Sequence, residues 1–560
     1  VTSFFAHYRT DRPAPVEYHV CRDMSCRLAG AAAAVSDLVD RHGAAAVREV
    51  HCLGRCDRAP AVCVAEHPPA DPGLSPEAVA DRAARARPGD GHEPARYVRY
   101  PDVDADADGQ RAHTDAGWAI DLGAAGEPRF AAVRDFAARL AAGRVGWTPR
   151  PAPRPADRVR GYDQVRPYAE AAHPPAVGDL LRELDASRLR GMGGAGQPAF
   201  EKWVDVLLAD GPVKYVVANG DESEPGAFKD REVMGRLAHQ VVEGVALAGL
   251  ALGAERGYVF VRHEYPAQIR ALRRAAAELA ATGVAGPFRV DVFESPGGYV
   301  CGEQSALLEA MEDRRAQPRP KPPDVATNGL WDRPTLVGNV ETFAWVPVVA
   351  RRGGGAAYAG LGHPAPGRKE PYQGARLLSV SGDVERPGVY EVRVGEPFGS
   401  LLDRAGGVRG GRGLRAVATG GASGSFVPAA LPDGRGVRDV PLDVNEFRRL
   451  EAACPGAMLA TGLVVFDDTR PMADAAVNCL QFFRDESCGK CVPCRVGTEK
   501  LLRLGTALLA DGTRPDSGPL ADLVDAMEAT SICSLGASAH RPLTSVLRHF
   551  PPAGAADGRD

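Results

Sequence analysis

Residues 486–501 read "ESCGKCVPCRVGTEKL", which places Cys488, Cys491 and Cys494 at C-x2-C-x2-C. Three thiols at that spacing wrap one corner of a metal–sulfur cube, and the bacterial [4Fe–4S] ligand run opens the same way. No fourth cysteine lies nearby. Cys533, in "SICSLGA", is the natural candidate to close the ring. Zinc is the competing ligand, although its sites usually pair two C-x2-C knuckles or include His. Buried apolar cysteines are the plain alternative.

A second set lies near the N-terminus. "HVCRDMSCRLAG" holds Cys21 and Cys26, and "EVHCLGRCDRAPAVCV" holds Cys52 and Cys56. "YHVCRD" and "AAVREVHCLG" each read as a strand running into a loop, and "AGAAAAVSDLVDRHG" between them reads as a helix. Two strand-end loops that each present two thiols suit a [2Fe–2S] rhomb. The spacing is not that of plant-type ferredoxins, and zinc stays open. Neither pair is C-x-x-C, which weighs against a redox disulfide. Cys63 reads as a buried strand thiol.

The chain has 560 residues, enough for several domains, and 44% are hydrophobic. A net charge of −5 argues against a nucleic-acid role. No uninterrupted apolar run reaches 18 residues, so no membrane-spanning helix is expected. The N-terminal stretch "VTSFFAHYRTDRPAP" has no signal-peptide core. Twelve cysteines in such a chain favour metal ligation over disulfides and a cytoplasmic location, peripheral at most to a membrane complex.

Four further stretches carry polar chemistry. "LRGMGGAGQPAFEKW" contains Gly191, Gly193, Gly194 and Gly196 before a helix that starts at Pro198 and carries Lys202. A G-x-G-x-x-G run ordinarily follows a strand, whereas "VGDLLRELDASRL" reads as a helix, so the ordinary dinucleotide fingerprint fails on context. Glycines still let backbone N–H groups approach a phosphate or a flat ring, and the following helix N-terminus can take an anion. "KYVVANGDESEPGAFKDREVM" reads as strand, polar loop and helix. It places Asn219, Asp221, Glu222, Ser223 and Glu224 at the strand's C-terminal end, where open α/β sheets bind ligands. "ESPGGYVCGEQSALLEAMED" brings Tyr299, Cys301, Gly302 and Glu303 before a helix, and "RPTLVGNVETFAWVPVV" brings Asn339 and Thr342. Cys301 has no second thiol nearby and reads as core.

Together these motifs resemble the NADH-binding flavoprotein subunits of respiratory complex I and of NAD-linked formate dehydrogenases and hydrogenases. The N-terminal C-x4-C…C-x3-C pattern resembles the thioredoxin-like [2Fe–2S] ferredoxins. The resemblance implies a multidomain α/β chain. A thioredoxin-like ferredoxin domain covers 1–92, a linker with one helix 93–169, and a Rossmann-like FMN/NADH domain 170–368. A β-grasp (ubiquitin-like) insert covers 369–450, and a C-terminal helical bundle with [4Fe–4S] covers 451–560.

It also implies FMN held by the 191–196 glycines, Lys202, Asn219 and Asp221. Ser223, Tyr299, Gly302, Glu303, Asn339 and Thr342 complete the cofactor set, with Glu222 near the nicotinamide. A carboxylate there weakly favours NAD(H) over a 2′-phosphorylated nucleotide. The implied activity is hydride exchange between NAD(H) and FMN, with single electrons passing through the clusters to or from a partner redox subunit. No catalytic side chain is required. Four positions depart from the family pattern: Gln197 and Asp324 stand where aromatics stack adenine, and Gln304 and Gly338 replace Glu and Asn. The flavin loops look intact and the dinucleotide grip altered. The other reading is therefore an electron-relay or scaffold subunit that has lost dinucleotide binding.

Overall fold

The computed structural model describes residues 14–66, 95–99, 113–114, 117–143, 173–363 and 373–550. More than half of the linker expected at 93–169, and residues 1–13 of the N-terminal stretch, lie outside the described residues.

The first unit is a four-stranded sheet in the order β2-β1-β3-β4. β1 is Val16–Cys21, β2 Val47–Val50, β3 Ala61–Glu66 and β4 Ala95–Arg99. β1 and β2 run parallel, which demands a crossover. The helix Ala31–His42 supplies it, burying Ala31, Ala34 and Leu38 on one face. β3 runs antiparallel to β1. β4 lies beyond residue 92, where the first domain was expected to end, and completes the sheet against β3. Cys63 is buried in β3.

β5, His113–Thr114, comes next in the chain and joins a sheet described below. The flavin-type motifs sit on a second sheet of four parallel strands in the order β8-β7-β6-β9. β6 is Tyr215–Gly220, β7 Arg256–Arg262, β8 Arg289–Ser295 and β9 Thr335–Asn339. β6 is central and apolar in its first four residues, as a strand covered on both faces must be. The helix Ala238–Leu252 is buried almost all round and packs against the helix Val340–Val349. Here Gly244 permits the approach, because a Cβ would stand 1.9 Å from the Phe343 carbonyl oxygen. The helix Ala131–Gly143 buries Val133, Phe136 and Leu140 in this same core. The sequence located that helix without showing what it packs against.

A third, mixed sheet runs β13-β12-β14-β10-β11-β5. β10 is Ala375–Gly382, β11 Gly388–Arg393, β12 Leu414–Ala422, β13 Phe426–Pro428 and β14 Gly462–Asp467. β10 pairs antiparallel with β11 and parallel with β14. β14 thus sits in the middle of the sheet, although it lies past residue 450, where helices alone were expected. Its burial along all six residues gives the reason. The helices Met472–Glu486, Val492–Asp511, Ser517–Thr530 and Arg541–His549 follow and pack together.

The first unit is wedged among the others. Asn478 accepts the Met24 N–H at 2.7 Å, and Ser25 Oγ donates to Ser381 Oγ at 2.9 Å. Arg27 makes a forked pair with Asp474 at 2.8 and 2.6 Å.

Candidate functional site

The loops at the C-terminal ends of β6 and β9 face the glycine loop across a cleft of about 510 Å³, within the range of small-molecule sites, about 300–1,000 Å³. Gly191, Gly193, Gly196, Gln197, Lys202, Asn219, Gly302, Glu303, Gln304, Asn339 and Thr342 line it. A second cleft of about 190 Å³ adjoins it, lined by Asp221, Glu222, Ser223, Glu224 and Tyr299 among others. Gly193, Asn219, Gly302, Glu303, Asn339, Cys533 and Ser534 belong to both. The structure therefore gathers the four sequence stretches around one divided space. Gly194 is absent from both linings, but its φ is +110° and a Cβ there would meet no protein atom within 4 Å.

Several of these side chains hold the loops in place. Asn219 Nδ2 donates to the Gly302 carbonyl at 2.9 Å, and Asn219 Oδ1 accepts the Asp221 N–H at 3.0 Å. Ser223 Oγ donates to Asp221 at 2.9 Å. Met192 N–H donates to Thr342 Oγ1 at 2.9 Å, pinning the glycine loop. Lys202 Nζ donates to the Val337 carbonyl at 2.8 Å. Glu303 caps the helix Gln304–Met311 through Ser305 and Ala306 N–H, and Asn339 caps Val340–Val349 through Glu341 N–H. Glu222 Oε2 accepts the N–H groups of Asp230 and Arg231 at 2.9 and 3.3 Å. Its Oε1 is buried with no hydrogen-bond partner, a polar atom open to a ligand.

Burial dominates the electrostatics. It pushes Asp221 up to about 6, Glu224 up to about 7 and Glu222 up to about 8; the neighbouring Asp230 adds to the rise at Glu222. Burial also lowers Lys202. Such a cleft holds less negative charge than its sequence suggests.

Cys491 stands at the N-cap position of the helix Val492–Asp511, Cys494 lies in that helix's first turn, and Cys533 stands at the N-cap position of the short helix Ser534–Ser538. Burial is the first cause pushing Cys494 up to about 12, and Cys491, Cys533 and Cys488 add to it. Burial likewise pushes Cys533 up to about 11, against the N–H groups of Leu535 and Gly536. Four neighbouring thiols, with backbone donors aimed at one of them, fit a cluster that binds thiolates. Arg315 donates to the Cys488 carbonyl, and Lys490 Nζ to the Pro318 carbonyl at 2.6 Å, which ties this loop to the cleft's rim.

Cys21, Cys26, Cys52 and Cys56 are all buried. Cys52 and Cys56 Sγ stand 3.7 Å apart, close to the separation of about 3.8 Å for two thiolates on one tetrahedral metal with bonds of about 2.3 Å. The Gly54 N–H faces Cys52 Sγ and the Ala61 N–H faces Cys26 Sγ, both at 3.4 Å. The thiols of Cys21 and Cys56, then the Arg262 charge, hold Cys52 well below the usual thiol range. Among the described residues, no three His, Cys, Asp or Glu side chains are gathered as the ligands of a single ion are. Cluster ligands divide over several irons.

Residues 184–348 match the Nuo51 FMN-binding domain, and residues 474–556 the iron–sulfur binding region of NADH-ubiquinone oxidoreductase-F. Residues 377–426 match the SLBB domain, and residues 1–80 the thioredoxin-like [2Fe-2S] ferredoxin. An F-type NADH-quinone oxidoreductase subunit of Rhizobium meliloti (strain 1021) is 40% identical over 403 residues, covering 70% of this chain and 90% of that protein. The chain belongs to the F-type family of NADH-quinone oxidoreductase subunits. Another F-type relative, from Rhodobacter capsulatus, is 37% identical over 66% of this chain and 85% of its own length. An NADP-reducing hydrogenase subunit of Solidesulfovibrio fructosivorans is 35% identical over 70% of this chain and 78% of that one. A crystal structure of an NAD+-reducing [NiFe]-hydrogenase in the H2-reduced state superposes with a TM-score of 0.74 at 27% identity, covering 98% of this chain and 86% of that one. In this chain the ferredoxin unit docks where the flavin-type and helical units meet.

The sequence did not single out Arg319 and Lys321, which line the larger cleft. Nor did it single out Arg231 and Arg262, buried between the first unit and the second. Arg319 and Lys321 sit in a loop, Arg231 in the helix Lys229–Arg236 and Arg262 at the end of β7; single basic residues so placed carry no periodic signal, and only the folded chain brings them together. Asp324 is absent from the cleft lining and instead accepts the Ala326 N–H at 3.0 Å. Among the described residues no helix is long and apolar enough to cross a membrane.

Proposed function

We propose that this chain exchanges hydride between NAD(H) and FMN, and passes electrons singly through a [4Fe–4S] cluster to or from a partner redox subunit. The observation that carries the reading is the position of Cys533. It lines both clefts and neighbours Cys488 and Cys494, so the wall of the flavin site is also the wall of the cluster site.

FMN, when bound, takes an electron pair and gives up single electrons. The chain's own residues bind and orient. The glycines at 191–196 offer backbone N–H groups, with Gly194 open on the side a Cβ would occupy. Glu222 Oε1 is a buried polar atom open to a ligand. Asn219 and Thr342 lock the loops that close the space, and the apolar helix Val340–Val349 behind it keeps water away. Cys488, Cys491, Cys494 and Cys533 would hold the [4Fe–4S] cluster. Cys21, Cys26, Cys52 and Cys56 would hold a [2Fe–2S] cluster that serves as a relay or a side store.

The all-parallel order β8-β7-β6-β9 is that of a 3-2-1-4 mononucleotide half, which supports a Rossmann-like assignment. The mixed β10–β14 sheet with the helix Phe398–Arg404 supports a β-grasp assignment with its limit near residue 467. A hydrogenase, formate dehydrogenase or complex I-like assembly supplies the partner chemistry, and a cytoplasmic location belongs to the same proposal.

The test is anaerobic addition of NADH to the purified chain. Bleaching of the flavin, with an artificial acceptor then reduced, is expected. Bound FMN that neither NADH nor NADPH bleaches would replace this reading with that of a relay subunit, and Gln197 in the cleft wall is the position that favours it.

A further inference from the structure

The loop carrying Cys52 and Cys56 is gripped by two buried arginines from the flavin-type unit. Arg231 Nη1 donates to the Gly54 carbonyl at 2.5 Å, and its Nη2 pairs with Asp57 at 3.0 Å. Gly54 turns its own N–H onto Cys52 Sγ. Arg262 spans further. Its Nη2 donates to the Cys52 carbonyl at 2.8 Å, and its Nη1 to the Glu222 carbonyl at 2.6 Å. One guanidinium thus binds the backbone of a thiol ligand and the backbone of the acidic loop. Glu264 balances it at 2.8 Å, and both side chains are 5% exposed.

A planar guanidinium offers donors in several fixed directions, which an ammonium does not. Burial in a low-dielectric site lengthens the reach of its charge. Reduction of a [2Fe–2S] group adds one electron and so one negative charge. A buried cation beside it favours the reduced state, and a buried carboxylate opposes it. Net charge and hydrogen bonding around the sulfurs are the levers that set cluster potentials.

We propose that Arg262 is a positioning residue that holds Cys52 and the Glu222 loop in one frame, and that the Arg262–Glu264 pair sets the reduction potential of the [2Fe–2S] group. The two redox sites are thereby coupled through one side chain. The inference rests on the [2Fe–2S] reading of the first unit.

The test is an EPR-monitored redox titration of the full chain, with the [4Fe–4S] midpoint as an internal reference. Arg262→Gln should lower the [2Fe–2S] midpoint, Glu264→Gln should raise it, and Arg262→Lys, which keeps the charge but loses the fork, should fall between wild type and Arg262→Gln. A purely structural role would not give opposite signs for the two halves of one ion pair. Midpoints that move in the same direction, or that stay still with wild-type spectra, overturn the proposal. Should Arg262→Gln fail to retain its cluster, Glu264→Gln decides: an upward shift supports the proposal and no shift overturns it. Wild type with no iron at Cys21, Cys26, Cys52 and Cys56 would overturn the [2Fe–2S] reading itself, a result separate from unmoved midpoints.

Discussion

The Tyr299 hydroxyl donates to Glu224 Oε2 at 2.5 Å, in the wall of the smaller cleft that also includes Cys533. Ser423 completes the site from the third sheet's side, with its N–H on Oε1 and its Oγ on Oε2, both at 2.9 Å. One buried carboxyl therefore joins the acidic loop, the 297–303 loop and the mixed-sheet unit.

That junction predicts a pH dependence. Burial raises Glu224 from 4.5 to about 7. Between those values the folded state holds a proton that the unfolded state has released, so stability falls as pH rises through the window. The effect is at most on the order of 3 kcal/mol. Glu224→Gln, which is neutral throughout, should flatten the fall in melting temperature over that range. Glu222, raised to about 8, still contributes across this window and above it, and Asp221, raised to about 6, over its lower part, so the flattening is partial. A variant with the same slope as wild type would remove Glu224 as the cause.

Gly54 predicts a local lesion. Its φ is +65°, and a Cβ would stand 2.1 Å from the Tyr265 hydroxyl. Tyr265 is fully buried. Gly54→Ala must therefore push the 52–57 loop off the flavin-type unit. The expected result is loss of the [2Fe–2S] EPR signal with the [4Fe–4S] signal and FMN content retained. Two wild-type cluster signals would contradict the docking.

Cys491→Ala should remove about four irons per chain, on cubane stoichiometry. Cys479→Ala is the control. Cys479 is 1% exposed within the helix Met472–Glu486 and packs in the helical core. Its loss should cost stability and no iron. Iron analysis of the two proteins separates ligand from core thiol.

The sequence disclosed the strand-loop-helix at 214–234 because its apolar run, its polar loop and its helix each obey a local rule. It disclosed the thiols because their spacing is itself the signal. It did not disclose the place of β14, since a buried apolar run of six residues names no partner strand. It also assigned Asn339 and Glu303 to ligands, without the helix caps that both provide. Capping needs a defined helix start, and each of those starts is set by a loop folded against another loop. Arg262 was invisible for a related reason: its partners lie 40 and 210 residues away.

The glycine loop offers the most direct test of the flavin site. Gly194 sits at φ +110°, a conformation that side-chain-bearing residues rarely adopt. Forcing a β-branched residue there costs on the order of 1–3 kcal/mol of strain. A Cβ there has no protein atom within 4 Å, so the first atom of the new side chain is accommodated. Gly194→Val should therefore yield a folded protein with both clusters and without FMN. Glu222→Gln makes the contrast. It keeps an oxygen to cap the N–H groups of Asp230 and Arg231 and alters the buried Oε1. That variant should keep its FMN and change KM for NADH more than kcat. Flavin fluorescence released on acid treatment measures the first, and steady-state kinetics the second. Stoichiometric FMN in Gly194→Val would move the flavin away from the 191–196 loop.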